Sequence, residues 1–268
     1  MAVSASKFEK VRRLLQKKNV LVAFSGGVDS AVLAHIAKET ADSVILLTID
    51  SITFPKSELN AARELADQLD MNLKIIEVDE LKNKNLVSNP PDRCYHCKSE
   101  LAAVWLDAAK EMKMDLVVDG TNITDMEGHR PGARALEEAG VISPFRDAGI
   151  TKEEIREYAR NVGLPVADRP SMACLSSRFP YGTEITESRV RMVDQVEQKV
   201  KEIFNVRCVR ARFHGDVARI EVGHDERENL FDIPKLNRLH EEVRAIGFKY
   251  VAIDAIGYRT GSMDEVLE

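Results

Sequence analysis

Short apolar runs alternate with amphipathic stretches along the first half of the chain. The apolar runs suit strands buried in a parallel sheet, and they lie at 20–24, 43–50, 73–78 and 116–119. The stretches between them repeat their apolar residues at helical spacing, over 31–38, 56–69 and 97–112. Repeated strand–helix–strand units predict an α/β fold with a doubly wound, mostly parallel sheet.

The second half of the chain follows a different pattern. Thr151 and Glu154 form a capping-box pattern that begins a helix, and the turn-rich stretch 167–186 behind it has no lasting periodicity. The pattern beyond predicts helices and strands at 187–204, 206–213, 217–222, 235–246 and 250–256. We therefore expect a larger domain over 1–170 and a smaller α+β domain over 171–268.

The first strand runs into a glycine turn, Ser25-Gly26-Gly27-Val28-Asp29-Ser30. Glycines between a strand and a helix let bare backbone N–H groups approach an anion closely. The serines add hydroxyls, and Asp29 adds a carboxylate suited to Mg²⁺. No Walker lysine follows, which excludes the kinase-type P-loop. The turn predicts a nucleotide phosphate site, and the alternative is an ordinary capped helix start.

Polar residues also follow two other predicted strands. Ligands of doubly wound sheets bind beyond the carboxyl ends of the strands, where this chain places Asp50-Ser51, Asp119-Gly120-Thr121-Asn122 and Asp125. These residues predict one pocket for ATP and Mg²⁺, although Asp and Asn also satisfy backbone groups in ordinary loops. Lys152, in the capping turn, is a candidate phosphate ligand, and the alternative is a solvated charge.

Composition and charge narrow the class of partner. The 268 residues carry a formal net charge of −6, which disfavours a large nucleic-acid partner and favours a small-molecule substrate. No apolar run is long enough for a signal peptide or a membrane span. The sequence therefore predicts a cytoplasmic protein with no membrane partner.

The chain has four cysteines, and disulfides are rare in the reducing cytoplasm, so each cysteine needs another explanation. Cys94 and Cys97 form a CxxC pair, which suits a metal centre or a redox disulfide. Structural zinc is an alternative, although no second CxxC exists. His96 lies inside the pair, and His129 and His214 have no telling spacing.

The other two cysteines differ in their surroundings. Cys174 lies in an irregular loop, where it is a candidate for chemistry. Cys208 lies in an alternating strand, where we expect a buried small hydrophobe and no chemistry.

Four segments together resemble a known family. SGGVDS (25–30) resembles the pyrophosphatase loop of the PP-loop ATP-binding superfamily. With DGTN (119–122), ACLSSRFPYGTEIT (173–186) and AIGYRTGSM (255–263), nearly the whole chain is similar to the LarE family of ATP-dependent sulfur transferases.

The resemblance implies a reaction and a division of labour. Residues 1–170 would be the PP-loop ATP-binding domain, and 171–268 the substrate-binding and sulfur-transfer domain. The family uses ATP and Mg²⁺ to adenylate the carboxylates of pyridinium-3,5-biscarboxylic acid mononucleotide, then replaces AMP by sulfur. The resemblance also implies a homo-oligomer.

The resemblance gives the cysteines two alternative roles. Some members sacrifice the cysteine at the position of Cys174, which becomes dehydroalanine, whereas others carry two further cysteines. Because this chain has Cys94 and Cys97, we hypothesise that the three thiolates hold a [4Fe-4S] cluster that carries sulfide. A sulfide source would then be a partner.

Charged residues of the smaller domain are candidate substrate ligands. Arg210 and Arg212 are two apart on a predicted strand, so both can face the mononucleotide phosphate, and the alternative is two exposed arginines. The resemblance adds Arg178, Glu197 and Glu221 as residues that orient the substrate.

Two other functions remain open. A PP-loop enzyme that thiolates tRNA would share most of this chemistry, but basic stretches interleaved with aromatics are missing. A non-catalytic nucleotide-binding protein with structural zinc is the second alternative.

Overall fold

The protein is described here by a computed structural model over residues 2–126, 130–170, 173–259 and 261–263. The chain forms two compact units, one of residues 1–79 and 92–172 and the other of residues 80–91 and 173–268. Residues 80–91 thus group with the second unit, whereas the sequence assigned them to the larger domain. His129, Ser171, Met172 and Thr260 lie outside the described residues.

The elements are numbered along the chain. The strands are β1 (Asn19–Ala23), β2 (Ser43–Asp50), β3 (Leu73–Glu77), β4 (Leu116–Val118), β5 (Val209–His214), β6 (Val217–Val222) and β7 (Tyr250–Ile253). The helices are α1 (Ala2–Leu15), α2 (Val28–Thr40), α3 (Lys56–Gln68), α4 (Lys84–Val87), α5 (Arg93–Glu111), α6 (Pro131–Ala139), α7 (Pro144–Asp147), α8 (Lys152–Asn161), α9 (Glu187–Phe204) and α10 (Ile233–Ile246).

The sheet of the first unit is parallel throughout, which confirms the predicted α/β fold. Its strand order is β3-β2-β1-β4, with Val22 opposite Leu46 on one side and Val118 on the other. The chain moves outward from β1 to β3 and then returns to the opposite side of β1. Such a reversal leaves a crevice at the carboxyl ends of β1 and β4, where ligands of this fold bind.

Helices cover both faces of this sheet. On one face Phe8, Leu33 and Phe145 are buried with α1, α2, α7 and α8, and on the other Leu21 and Trp105 are buried with α5 and α6. Each large apolar side chain buried in this way stabilises the fold by about 1.5–3 kcal/mol. The same packing keeps the strand ends at fixed positions.

Some predicted boundaries were wrong. α5 begins at Arg93. The sequence placed its start at 97, because the first turn of the helix is polar and carries no apolar repeat. β7 ends at Ile253 rather than at 256, because the Asp254 carboxylate accepts hydrogen bonds from the N–H groups of Ile256 and Gly257, at 3.0 and 2.9 Å. The sequence did not predict α1, α4, α6 or α7.

The second unit is built on a smaller sheet in the order β5-β6-β7. β5 and β6 form the predicted antiparallel hairpin, which turns at Gly215 with φ of +63°, and β7 lies parallel to β6. α9 packs against β5, and α10 packs against α9 and β7. Asn89 binds residues 80–91 to this unit, because its amide donates to the Pro180 and Thr183 carbonyls at 2.8 and 3.0 Å.

Candidate functional site

The loop between β1 and α2 is shaped by two glycines and two serines. Gly26 has φ of +72°, and a Cβ there would lie 2.9 Å from the Ala62 Cα, so the position requires glycine. The Ser30 hydroxyl accepts from the Ser25 N–H at 3.2 Å and donates to the Gly27 carbonyl at 3.1 Å. Gly27, the N-cap of α2, offers no side chain to the first helical N–H groups, which suits an anion.

The segment after β4 lies directly against this loop. A Cβ on Gly120 would lie 2.9 Å from both the Asp29 Cβ and the Ser30 nitrogen, so the close approach requires glycine. The neighbouring Asp119 is buried and accepts a hydrogen bond from the Ser143 hydroxyl at 2.5 Å. The ends of β1 and β4 therefore form one cluster of polar groups.

Asn122 joins two of the carboxylates of this cluster, those of Asp29 and Asp125. Its amide nitrogen lies 3.2 Å from an Asp29 oxygen and 2.5 Å from an Asp125 oxygen. Lys152 forms an ion pair with Asp29. The capping box of α8 supports this ion pair, because it orders the first turn of the helix that carries Lys152. Burial, and after it the charge of Asp29, raise the pKa of Asp125 above its usual value.

A pocket of about 260 Å³ opens at this point of the first unit. Seven residues named from the sequence line it: Ser25, Asp29, Ser30, Asp119, Gly120, Thr121 and Asp125. Its further lining residues include Phe24, Leu47, Phe54, Leu101, Trp105 and Lys98, which the sequence did not single out for a nucleotide. A concave pocket that combines apolar walls with polar groups is typical of small-molecule sites.

The other residues predicted for this pocket lie near it or outside its lining. Asn122 contacts the lining residues Asp29 and Asp125, and Lys152 contacts Asp29, as described above. Asp50 instead forms an ion pair with Lys56 at 2.6 Å, and the Ser51 hydroxyl lies 3.4 Å from that of Thr53. A role for these two residues in ATP binding stays a prediction.

α5 carries both the cysteine pair and one side of the pocket. Cys94 is exposed and Cys97 is partly buried, one turn apart at the start of the helix. Lys98 follows at once, and its ammonium lies 5.3 Å above the Trp105 ring centre. The residues 94, 97, 98, 101 and 105 share a helical face, and the predicted helix, which started at 97, left only Cys94 off this face.

Arg178 organises the cysteine loop of the second unit. Cys174 is exposed directly before a 3-10 turn, Leu175–Arg178. The fully buried Arg178 donates to both Glu197 oxygens at 2.7 and 3.0 Å, and to the carbonyls of Ala173 and Cys174 at 3.0 and 3.1 Å. Burial alone lowers the pKa of Arg178, but the charge of Glu197 and the hydrogen bonds to it, together with the smaller effects of Cys174 and Tyr258, outweigh burial and hold the pKa above its usual value.

Arg210 and Arg212 are buried, not exposed as in the alternative given above. Arg212 donates to Glu221 at 2.7 Å and to the Ser177 carbonyl at 2.9 Å, so it also contacts the cysteine loop. The Arg210 guanidinium lies 4.8 Å from the centre of the Tyr258 ring. The two arginines, Glu197 and Glu221 thus form a buried charged cluster with Arg178 in the second unit.

Cys208 is the buried cysteine that the sequence excluded from chemistry. Its side chain lies just before β5 and is 9% exposed. Burial raises the pKa of its thiol, which therefore stays protonated at neutral pH. All four cysteines lie within the described residues, and none forms a disulfide.

Comparison with known proteins identifies the family. Residues 19–93 match the family described as queuosine biosynthesis protein QueC. An uncharacterised protein of Synechocystis sp. is 34% identical over 264 residues, or 98% of each chain. The pyridinium-3,5-bisthiocarboxylic acid mononucleotide synthase of Lactiplantibacillus plantarum is 31% identical over 268 residues, 99% of this chain and 96% of that protein. This chain belongs to the LarE family. It is an ATP-dependent sulfur transferase of the PP-loop superfamily.

A second kind of relative is similar over less of the chain. A glutamine-hydrolysing GMP synthase component of Methanopyrus kandleri is 28% identical over 219 residues, 72% of this chain and 68% of that protein. The relatives from Synechocystis sp. and Lactiplantibacillus plantarum differ from it by matching almost all of both units.

Two negative findings apply to the part of the chain that the structure describes. No three His, Cys, Asp or Glu residues are placed there as a group that could hold a metal ion. No helix in these ranges is long and apolar enough to cross a bilayer.

Proposed function

We propose that this protein adenylates the carboxylates of pyridinium-3,5-biscarboxylic acid mononucleotide with MgATP and converts them to thiocarboxylates. The observation that carries this proposal is the double role of α5, which bears Cys94 and Cys97 and directly afterwards Lys98 of the pocket. A rigid helix that presents thiols beside an activation site shortens the path of sulfur to an activated acyl group. The name of the relative from Lactiplantibacillus plantarum supports the substrate class.

The first step is activation of a carboxylate. A substrate oxygen attacks the α-phosphorus of ATP, the bond to the β-phosphate oxygen breaks, and pyrophosphate leaves. The N–H groups of the loop at 25–30 and the ammonium of Lys152 bind phosphate oxygens. Asp29 and Asp125 fit Mg²⁺, because Asn122 holds their hard oxygen ligands close together. The ion would neutralise phosphate charge when bound.

The second step exchanges AMP for sulfur. A sulfur nucleophile attacks the acyl carbon, the carbon–oxygen bond to AMP breaks, and AMP leaves. Cys94, Cys97 and Cys174 are the donors we assign to a [4Fe-4S] cluster, and three soft thiolates fit such a group. The cluster would supply a sulfide from the iron that has no protein ligand.

The buried arginines suit the substrate's phosphate. The Nε of Arg212 is buried and has no hydrogen-bond partner within the described residues. A phosphate oxygen would satisfy this donor and remove the free-energy cost of leaving it unpaired. Arg210 provides a second positive charge, and Glu221 orients Arg212. A sulfide source, a homo-oligomer and a cytoplasmic location complete the proposal, and the family resemblance and the cysteine content support them.

Anaerobic reconstitution tests the proposal. The protein is treated with iron and sulfide, and iron, labile sulfide, pyrophosphate and thiocarboxylate are measured per chain. We expect iron and repeated turnover in the native protein, loss of both in Cys94→Ala, and retention of both in the control Cys208→Ala. Protein without iron whose Cys174 becomes dehydroalanine after one turnover would replace the cluster route by the sacrificial one. No acceptor-dependent pyrophosphate would overturn the function itself.

A further inference from the structure

Gly132 of helix α6 lies against one cysteine of the pair and one residue of the nucleotide pocket. A Cβ on Gly132 would lie 3.1 Å from the Lys98 Cγ, 3.3 Å from the Cys94 carbonyl oxygen and 3.6 Å from the Cys94 Cβ. Gly132 therefore lies against the backbone of Cys94 and the aliphatic stem of Lys98. A methyl group at this position would force one of them to move.

Further contacts fix α6 against the first turns of α5. The Tyr95 hydroxyl donates to the Glu138 carboxylate at 2.5 Å. The guanidinium of Arg134 lies 4.6 Å from the centre of the Tyr95 ring, and Arg134 also forms an ion pair with Glu138 at 3.6 Å. These contacts leave α6 little freedom to withdraw from α5 if Gly132 grows larger.

We propose that Gly132 is a positioning residue, which sets where Cys94 presents its thiol and where Lys98 holds its ammonium over Trp105. Glycine is unfavourable inside a helix, and Pro131–Ala139 would gain helix propensity from alanine at this position. The close contact with two residues of the site explains why glycine stands here instead. The roles of Cys94 and Lys98 rest on the proposed function, whereas their positions do not.

Two local probes report on the two contacts without any assay of activity. Trp105 is the only tryptophan of the chain, so the emission of the protein reports on the Lys98 contact. Alkylation by iodoacetamide, followed by mass spectrometry, reports on Cys94. Cys174 belongs to the second unit and serves as the internal reference in the same sample.

The test compares Gly132→Ala and Gly132→Val with the control Ala133→Val, one residue further along the same helix. In the Gly132 variants we expect a severalfold change in the Cys94 alkylation rate, an altered Trp105 emission and MgATP binding weakened about tenfold, as for the loss of one charged contact. The Cys174 rate and the control should match the native protein.

Three results would overturn the proposal. The Cys94 rate and the Trp105 emission could stay unchanged in Gly132→Val, both cysteines could change together in Gly132→Ala, or Ala133→Val could have the same effect. If Gly132→Val does not fold, Gly132→Ala decides between these outcomes. None of these readouts requires sulfur transfer, so a failure here is distinguishable from a failure of the proposed function.

Discussion

Asp125 shows at the scale of one residue how the pocket tunes its ligands. Burial raises its pKa, and the nearby charge of Asp29 adds to the effect. A carboxylate in this state retains its proton at a pH where an ordinary aspartate is ionised. A bound Mg²⁺ would reverse the effect, because a cation favours the ionised form.

This residue predicts the pH dependence of MgATP binding. Protons compete with Mg²⁺ for Asp125, so affinity should fall as pH is lowered, and at a higher pH than an unshifted aspartate would allow. Asp125→Asn should bind about ten- to hundredfold more weakly, with a flatter pH profile. Titrations followed by Trp105 emission measure both quantities. An Asn variant with the native profile would exclude Asp125 as the titrating ligand.

Loss of the Arg178 side chain should lower the stability of the second unit. Removing one partner of a buried ion pair leaves an uncompensated charge, here that of Glu197. Arg178→Met should lower the free energy of unfolding by about 3–5 kcal/mol. The matched control is Arg191→Met, because Arg191 pairs with Glu187 at 2.6 Å on the exposed surface of α9. Its loss should cost no more than about 0.5 kcal/mol.

Urea unfolding separates these two arginines. The milder variant Arg178→Lys keeps the charge but cannot span Glu197 and the carbonyls of Ala173 and Cys174 together. We expect faster amide exchange over 173–178 in this variant. Equal costs for Arg178→Met and Arg191→Met would show that the buried pair contributes no more than a surface pair.

Helix α8 connects element-scale stability to the site. Thr151 accepts from the Glu154 N–H at 3.2 Å, while Glu154 accepts from the Thr151 N–H at 2.8 Å and pairs with Lys7. The next residue, Lys152, contacts Asp29 of the pocket. The capping box therefore orders the turn that carries Lys152 as well as the start of the helix.

Loss of the box should affect stability and ligand binding together. Thr151→Ala should cost about 1 kcal/mol of unfolding free energy and weaken MgATP binding, because Lys152 loses its ordered turn. Thr186→Ala is the control, since Thr186 caps α9 in the second unit through the Arg189 N–H. It should cost a similar amount and leave ATP affinity unchanged. Equal effects on affinity would contradict the link between the cap and the pocket.

At the scale of the whole molecule, we expect each unit to bind its own ligand, MgATP in the first unit and the mononucleotide in the second. A non-hydrolysable ATP analogue with Mg²⁺ should slow amide exchange over 25–30 and 119–125 of the first unit. Nicotinate mononucleotide, a pyridinium carboxylate with a phosphate, should slow exchange over 173–178 of the second unit. Exchange measured by mass spectrometry tests both expectations. Protection of 187–191 on α9 by either ligand would count against specific binding.

The strands of the first unit and the loop after β1 were predictable because their signals are local. An apolar run such as 43–50 and a double glycine before a helix need no knowledge of distant residues. The start of α5 was missed because its first turn is polar. The place of Lys98 in the pocket was missed because it depends on how α5 packs against the sheet. The sequence placed Arg210 and Arg212 on one strand but did not show that they are buried. Two arginines on a strand give the same sequence pattern in a core and on a surface.

The sequence by itself determined the alternation of strands and helices, the glycine loop, the cysteine positions and the family resemblance. Only the tertiary structure decided that Lys152 pairs with Asp29, 123 residues away along the chain, and that Arg178 is buried on Glu197. Periodicity and capping depend on neighbours within about one helical turn. Burial and charge pairing depend on which distant segments the fold brings together, and a single sequence does not display that information.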